Sequence, residues 1–260
     1  MNKLVLALTT ASLLALTACG GGGDDSPQVN QPTNPSGGGT GGGTGGGTGG
    51  TAASTIGNAF KFSGTTKQDA KFASKESDAF TIIVDGKSIA TKYPGISAAE
   101  MEMQTNSYNG DNVKRILNTT AYATYGLLRD TNNNGVDYVV YQGTPTSDKE
   151  LPTQDGVKYA GKAYVLDTQR DKWYKGTSNF TVNFAQKNLT GTLSGLKDVD
   201  SSATISNITL GADISGNGFK RTASGVTTEG KFYGANAAEM AGAFVDTNKN
   251  LSGAFGGKKQ

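Results

Sequence analysis

Glu229-Gly-Lys-Phe-Tyr-Gly-Ala-Asn-Ala-Ala-Glu-Met-Ala-Gly-Ala-Phe244, a polar turn from Asp246 to Asn250, and Leu251-Ser-Gly-Ala-Phe255 decide the fold of this chain. Aromatic residues arrive beside glycine: Phe232 and Tyr233 precede Gly234, Phe244 follows Gly242, and Phe255 precedes Gly256. Short apolar runs punctuated by glycine, with an Asn/Asp-rich turn between them, are the pattern of tight antiparallel β structure. Between Tyr233 and Gly242, Ala-Asn-Ala-Ala-Glu-Met-Ala reads as a short helical turn across a strand-to-strand crossing.

The residues before this stretch continue the pattern. Lys158 to Leu166 reads as a strand, and Trp173-Tyr174 begins the next. From Asn179 to Phe184 the alternation is strict: Phe180, Val182 and Phe184 face inward, while Asn179, Thr181 and Asn183 face out. Lys187-Asn188 turns the chain and Leu189 to Leu193 returns. Ala203 to Leu210 is expected as a further strand. Its apolar residues change parity between Ile205 and Ile208, which predicts a bulge at Ser206-Asn207. Asp213 to Phe219 follows. About eight strands in roughly a hundred residues suit a small closed antiparallel barrel filled by its own side chains.

These residues carry a family resemblance. Gly230-x-Phe232-Tyr233-Gly234-x-Asn236-Ala237-x-Glu239, Gly242-x-Phe244 and Gly253-Ala-Phe-Gly-x-Lys258-Lys-Gln260 resemble the end of the C-terminal β-barrel in the transferrin-binding protein B family. Asn179 to Leu193 and Ile214-x-Gly216-x-Gly218-Phe219 match its barrel strands as well. That family includes small surface lipoproteins such as factor H-binding protein and the haemoglobin-receptor lipoprotein HpuA. Tyr141-Gln-Gly143-Thr-Pro145-Thr146, with Leu151-Pro152-x-x-Asp155-Gly156-x-x-Tyr159-x-Gly161, resembles the family's passage from an N-terminal "handle" into the barrel. The resemblance implies a mostly β chain. It assigns a signal peptide over 1–18, a lipidated tether over 19–55, a β-rich handle over 56–150 and an eight-stranded antiparallel barrel over 151–260.

The N-terminus reads independently as an address. Asn2-Lys3 supplies a short positive region, and Leu4 to Leu16 is apolar but too short to span a membrane. Leu16-Thr17-Ala18-Cys19 resembles a bacterial lipobox, in which Cys19 is acylated and becomes the mature N-terminus. The other reading is a soluble signal peptide with an incidental cysteine. Cys19 is the only cysteine, so no internal disulfide is possible. More than one acyl chain gives stable anchoring. By family analogy, Gly20 after the cysteine favours passage to the outer membrane. From Gly20 to Thr55 the chain is Gly-rich and offers nothing to bury. Such a coil has an r.m.s. span of roughly 30–35 Å. It reads as a tether that lifts a folded body from a membrane, or as a spacer of untuned length.

The first folded half reads as β structure with one helix. Phe60 and Phe62 alternate with Lys61 and Ser63 before Gly64. Ala79 to Val84 meets a hairpin turn at Asp85-Gly86, and Lys87 to Thr91 returns. Ser97 to Met103, after Pro94-Gly95, is expected as a short helix. Tyr108 to Asp111 is a turn. Ala121 to Leu128 and Val136 to Tyr141 are strands joined through Asp130 to Gly135.

Composition narrows the chemistry. The formal net charge of +2 on 260 residues gives no support for a nucleic-acid partner. Hydrophobic residues make up only 35%, but 38 glycines, many in the tether, account for that, so the remainder holds an ordinary core. There is no histidine, which removes Ser-His-Asp and Cys-His catalysis, His-ligated zinc and the commonest haem ligand. No Gly-rich phosphate loop joins a strand to a helix, and no carboxylate pair presents itself for acid–base work. Asp130-x-Asn132-x-Asn134-Gly135 has the opening spacing of a calcium loop, but its twelfth position is Tyr141, and a hairpin turn explains the same residues. Asp246 to Asn250 reads more simply as a barrel turn. Met101 and Met103 read as core filling. The expectation is a non-enzyme with no cofactor and no metal.

Aromatic residues on loops are the better binding signal. Lys92-Tyr93-Pro94-Gly95-Ile96 and Tyr108-Asn109-Gly110 supply Lys92, Tyr93 and Tyr108 as candidate partner contacts. The tyrosines read equally as caps on the handle's own core. The resemblance implies a cell-surface, outer-membrane lipoprotein that captures a host iron-carrier protein or a complement regulator. It further implies an outer-membrane receptor and a surface-lipoprotein translocon as partners. A single handle and barrel is much shorter than the two-lobed transferrin-binding protein, which leaves transferrin itself open. A small-molecule or haem carrier of the hemophilin type is the alternative of a different class. A structural envelope lipoprotein facing the periplasm is the third.

Overall fold

A computed structural model describes residues 56–73, 81–93, 95, 99–103, 110–132 and 135–260. The described residues form one compact unit. Its elements are β1 (Gly57–Ser63), β2 (Thr66–Asp69), β3 (Thr81–Val84), β4 (Lys87–Ala90), β5 (Ala99–Met103), β6 (Val113–Thr119), β7 (Ala123–Asp130) and β8 (Val136–Gly143), then β9 (Val157–Asp167), β10 (Lys172–Asn183), β11 (Asn188–Asp198), β12 (Ile208–Ser215), β13 (Gly218–Ala223), β14 (Val226–Tyr233), β15 (Glu239–Asp246) and β16 (Leu251–Lys259). The first group makes a six-stranded sheet in the order β2-β1-β8-β7-β6-β5 and a separate β3-β4 hairpin. The second group closes on itself as an eight-stranded barrel, β10-β11-β12-β13-β14-β15-β16-β9, with every described seam antiparallel. The chain is mostly β, a handle sheet followed by an eight-stranded barrel, as expected.

Alternation along the strands builds three cores. Phe180, Val182, Phe184, Phe219, Phe232, Phe244 and Phe255 fill the barrel interior. Rings stack or tilt against one another there, Phe180 on Phe255 at 4.7 Å and Phe184 on Phe232 at 4.9 Å between centroids. A second core lies between barrel wall and handle sheet. It joins Phe60, Phe62, Tyr125, Leu127, Val139 and Tyr141 of the handle to Tyr164, Leu166, Trp173, Tyr233, Ala241, Ala243, Val245 and Ala254 of the barrel. The third, around Ile82, Val84, Ile89, Leu117, Leu128, Tyr138 and Val140, fills the space between the handle sheet and the β3-β4 hairpin. All eight residues of β8 are buried because that strand has a core on each face.

The opening sequence motif now has a physical cause. Phe232 points into the barrel, while its neighbour Tyr233 points out into the handle contact. Ala241, Ala243 and Ala254 on the outer wall are small enough to let the handle sheet approach. The adjacent glycines leave slots for rings. A methyl on Gly230 would lie 2.2 Å from Phe219, one on Gly253 2.7 Å from Phe244, and one on Gly256 2.3 Å from Tyr125 of the handle.

Several expectations need correction. Residues 99–103 of the stretch expected as a helix are instead β5, paired with β6 from Ala99↔Thr119 to Met103↔Arg115. Glu100-Met101-Glu102-Met103 alternates charged and apolar residues, a period of two that favours a strand. With Met101 fully buried and Glu100 exposed, that period is the one used. The helical turn expected between Tyr233 and Gly242 contracts to a single 3-10 turn at Ala235–Ala237, in which Asn236 and Ala237 both have positive φ, and β15 starts at Glu239. The strand expected from Ala203 begins only at Ile208, and 203–207 is a loop with one isolated bridge, Lys197↔Thr204. The parity change marks that loop rather than a bulge. A bulge does occur at Gly195 (φ 62), where β11 slips one residue against β10 between Lys175 and Thr177. Trp173-Tyr174 and Asn179–Asn183 belong to one strand. Two strands, β2 and β6, were not anticipated; β6 carries a fully buried Arg115, whose charge masks the strand pattern.

Candidate functional site

The predicted contact residues fall at different places. Lys92 and Tyr93 follow β4 and are half-buried. Tyr108 and Cys19 lie outside the described residues. The Thr91 carbonyl accepts the Thr119 hydroxyl at 2.9 Å, and the Thr124 hydroxyl bonds Thr119 at 3.1 Å. This fixes the start of the Lys92-Tyr93 segment beside the β6-β7 turn. β5 ends at Met103, and the described residues resume at Gly110, before β6 begins at Val113. Met103 pairs with Arg115, four residues along β6, so β5 ends about 13 Å from Thr119 at a strand's rise per residue.

The β6-β7 turn holds a residue that sequence reasoning missed. Tyr122 is 39% exposed and is the only exposed large hydrophobic side chain among the described residues. Its ring lies against Gly234; a methyl there would sit 2.5 Å from it. The barrel grips the turn through Glu239, which is 3% exposed. Its carboxylate accepts the N–H groups of Ala121 (3.2 Å) and Tyr122 (2.9 Å) and the hydroxyl of Thr120. The Tyr122 carbonyl accepts Thr144 N–H at 2.9 Å. A buried charge satisfied by three donors sets the backbone rigidly and leaves the ring at the surface. The only sequence signal was an aromatic in an otherwise small-residue turn, Thr120-Ala121-Tyr122-Ala123. With Tyr93 it makes an aromatic-bearing end of the handle, of the composition that anchors protein partners.

A second carboxylate ties the two domains. Glu229 accepts Asn58 Nδ2 at 2.7 Å and the Tyr141 hydroxyl at 3.0 Å, and pairs with Lys220 at 2.9 Å. Burial alone would raise its pKa, but the hydrogen bonds from Asn58 and Lys220, with that from Tyr141, outweigh it and hold the carboxyl below its ordinary value. Tyr141, the twelfth position of the calcium-loop spacing, is therefore engaged in the domain contact. Asp130, its first position, pairs with Lys87 at 2.5 Å and accepts Asn132 N–H at 3.1 Å, an Asx turn. Asp246 likewise accepts the N–H groups of Asn248 (3.0 Å) and Lys249 (3.2 Å) as the cap of a barrel turn. Among the described residues, no group of three or more His, Cys, Asp or Glu is placed to hold a metal ion.

Residues 151–259 match the family model described as C-lobe and N-lobe beta barrels of Tf-binding protein B. An uncharacterized protein of Haemophilus influenzae is 33% identical over 145 residues, covering 52% of this chain and 47% of that protein. A transferrin-binding protein B of Neisseria meningitidis serogroup B is 26% identical over 251 residues, 80% of this chain and 40% of that protein. Among solved structures, intact Ap-TbpB with its N and C lobes superposes with a TM-score of 0.55 at 22% identity, over 79% of this chain and 46% of that one. The chain thus spans less than half the length of each relative.

Proposed function

We propose that this chain, whose C-terminal barrel belongs to the transferrin-binding protein B barrel family, is a surface-exposed outer-membrane lipoprotein that captures a host iron-carrier protein. The observation that carries the reading is the aromatic end of the handle. Tyr122 is held at the surface by the barrel's Glu239, and the Lys92-Tyr93 segment is fastened beside it through Thr91 and Thr119. Cys19 is the lipidation site and the Gly-rich stretch to Thr55 the tether. Rings on a rigid backbone lose little entropy on binding, so each contact contributes more of its gross energy. An outer-membrane receptor takes the captured iron source onward, and a translocon for surface lipoproteins brings the chain to the cell exterior.

The test is a pull-down from serum and haemolysed blood with the chain from Ser54 onward, followed by mass spectrometry. Enrichment of one iron-carrying host protein, lost in Tyr93→Ala with Tyr122→Ala, supports capture at the handle end. Enrichment of a complement regulator instead moves the target, and no enrichment at micromolar bait removes host capture altogether.

A further inference from the structure

The barrel has an open mouth at the end remote from Tyr122. β15 starts at Glu239, which holds Tyr122, and finishes at Asp246, about 23 Å away at a strand's rise per residue. There the 203–207 loop, the β9-β10 turn and the β15-β16 turn surround a crevice of about 680 Å³. That volume lies within the roughly 300–1,000 Å³ of small-molecule sites, and barrel mouths are among their usual places.

Its lining has two chemistries. Ile205, Ile208 and Leu251 give an apolar floor continuous with the barrel core. Arg170 and Lys249 stand at the rim with side chains 66% and 67% exposed. Arg170 gives one N–H to Asp167 at 2.7 Å, and its fork of five donors leaves others unused. Lys249 Nζ lies 3.9 Å from Asp246. Both carboxylates are already occupied by turn N–H groups, Asp167 by those of Gln169 and Arg170, Asp246 by those of Asn248 and Lys249. Between floor and rim stands Tyr174. It is 4% exposed as a residue and lines the crevice.

We propose that this mouth binds a small anionic amphiphile of the aliphatic carboxylate class. The apolar body lies on Ile205, Ile208 and Leu251. The carboxylate accepts the Tyr174 hydroxyl and the free donors of Arg170 and Lys249. The requirement for both halves is strict: an uncharged alcohol leaves the cations solvated and gains only the floor, while acetate gains only the rim.

Decanoate is the probe, titrated calorimetrically into the full chain, with decanol and acetate alongside. Saturable one-to-one binding of decanoate is expected, with decanol at least about tenfold weaker because a charge-assisted contact is lost. Arg170→Ala with Lys249→Ala weakens decanoate by about tenfold and leaves decanol unchanged. Tyr174→Phe keeps the ring in the core and weakens decanoate by about fivefold, the worth of one hydrogen bond. Near-UV circular dichroism confirms that each variant is folded. Amide shifts in an NMR titration centre on 203–208 and 249–251. The proposal is overturned by no saturable binding at millimolar decanoate, by equal affinity for decanol, or by shifts centred elsewhere. Host-protein capture at the handle end is unaffected by any of these variants, so the two readings stand or fall separately.

Discussion

Gly256 shows how one missing methyl joins the two domains. Phe255 before it points into the barrel, and the bare Cα of Gly256 receives the ring of Tyr125 from the handle. Gly256→Ala forces that ring or the sheet to move, and overpacking of this kind costs about 1–3 kcal/mol. The expected readout is a lower urea midpoint with an unchanged slope. Tyr122→Ala is the contrasting case. Its ring is largely at the surface, so we expect under about 1 kcal/mol of lost stability but loss of host-protein capture, as hot-spot aromatics behave. Unfolding and pull-down of the same variant separate the two effects.

At the scale of the element, the β3-β4 hairpin hangs on Asp85. Its φ of 47° and Gly86's of 81° give the left-handed turn that matches strand twist. The same carboxylate accepts Lys61 Nζ at 2.9 Å, Lys71 N–H at 2.9 Å and the Tyr138 hydroxyl at 3.0 Å, so it fastens the hairpin to the sheet. Asp85→Ala leaves a phenol and an ammonium without their acceptor and is expected to cost about 2–3 kcal/mol. Asp85→Asn, which tolerates the turn geometry and keeps an acceptor, is expected to recover about half of that. Amide hydrogen exchange in 81–90 should rise in the alanine variant before exchange in the barrel does.

The whole folded body is three cores in series, and the middle one belongs equally to handle and barrel. Handle and barrel are therefore expected to unfold in one transition, followed equally by far-UV circular dichroism and by Trp173 fluorescence, since Trp173 sits in the shared core. Acid should loosen this joint. Glu229 has a depressed pKa in the folded state, so its contribution is present in full above the unfolded value of about 4.3. It is lost as pH falls through the lower folded value. Glu229→Gln should be less stable than the parent at pH 7, and the gap should close as both are taken below about pH 4. A gap that is constant with pH would show that the charge plays no part.

Alternation and turn chemistry act over a few residues, so they were legible without the fold. Phe180, Val182 and Phe184 facing inward, the Asp85-Gly86 hairpin and the aromatic–glycine pairs all follow from a side-chain period of two and from backbone freedom at glycine. Those patterns determined an antiparallel barrel preceded by β structure. Tertiary structure decided the rest. β5 is a strand because β6 offers it a partner, and β6 was hidden because Arg115 is buried with its donors given to Ala90, Val113 and Asp111. Tyr122 owes its position to Glu239, more than a hundred residues away, and the barrel mouth gathers residues from three separate turns. No local pattern encodes such meetings, because they depend on which strands pair and where the barrel closes, and those choices are made by burial summed over the whole body.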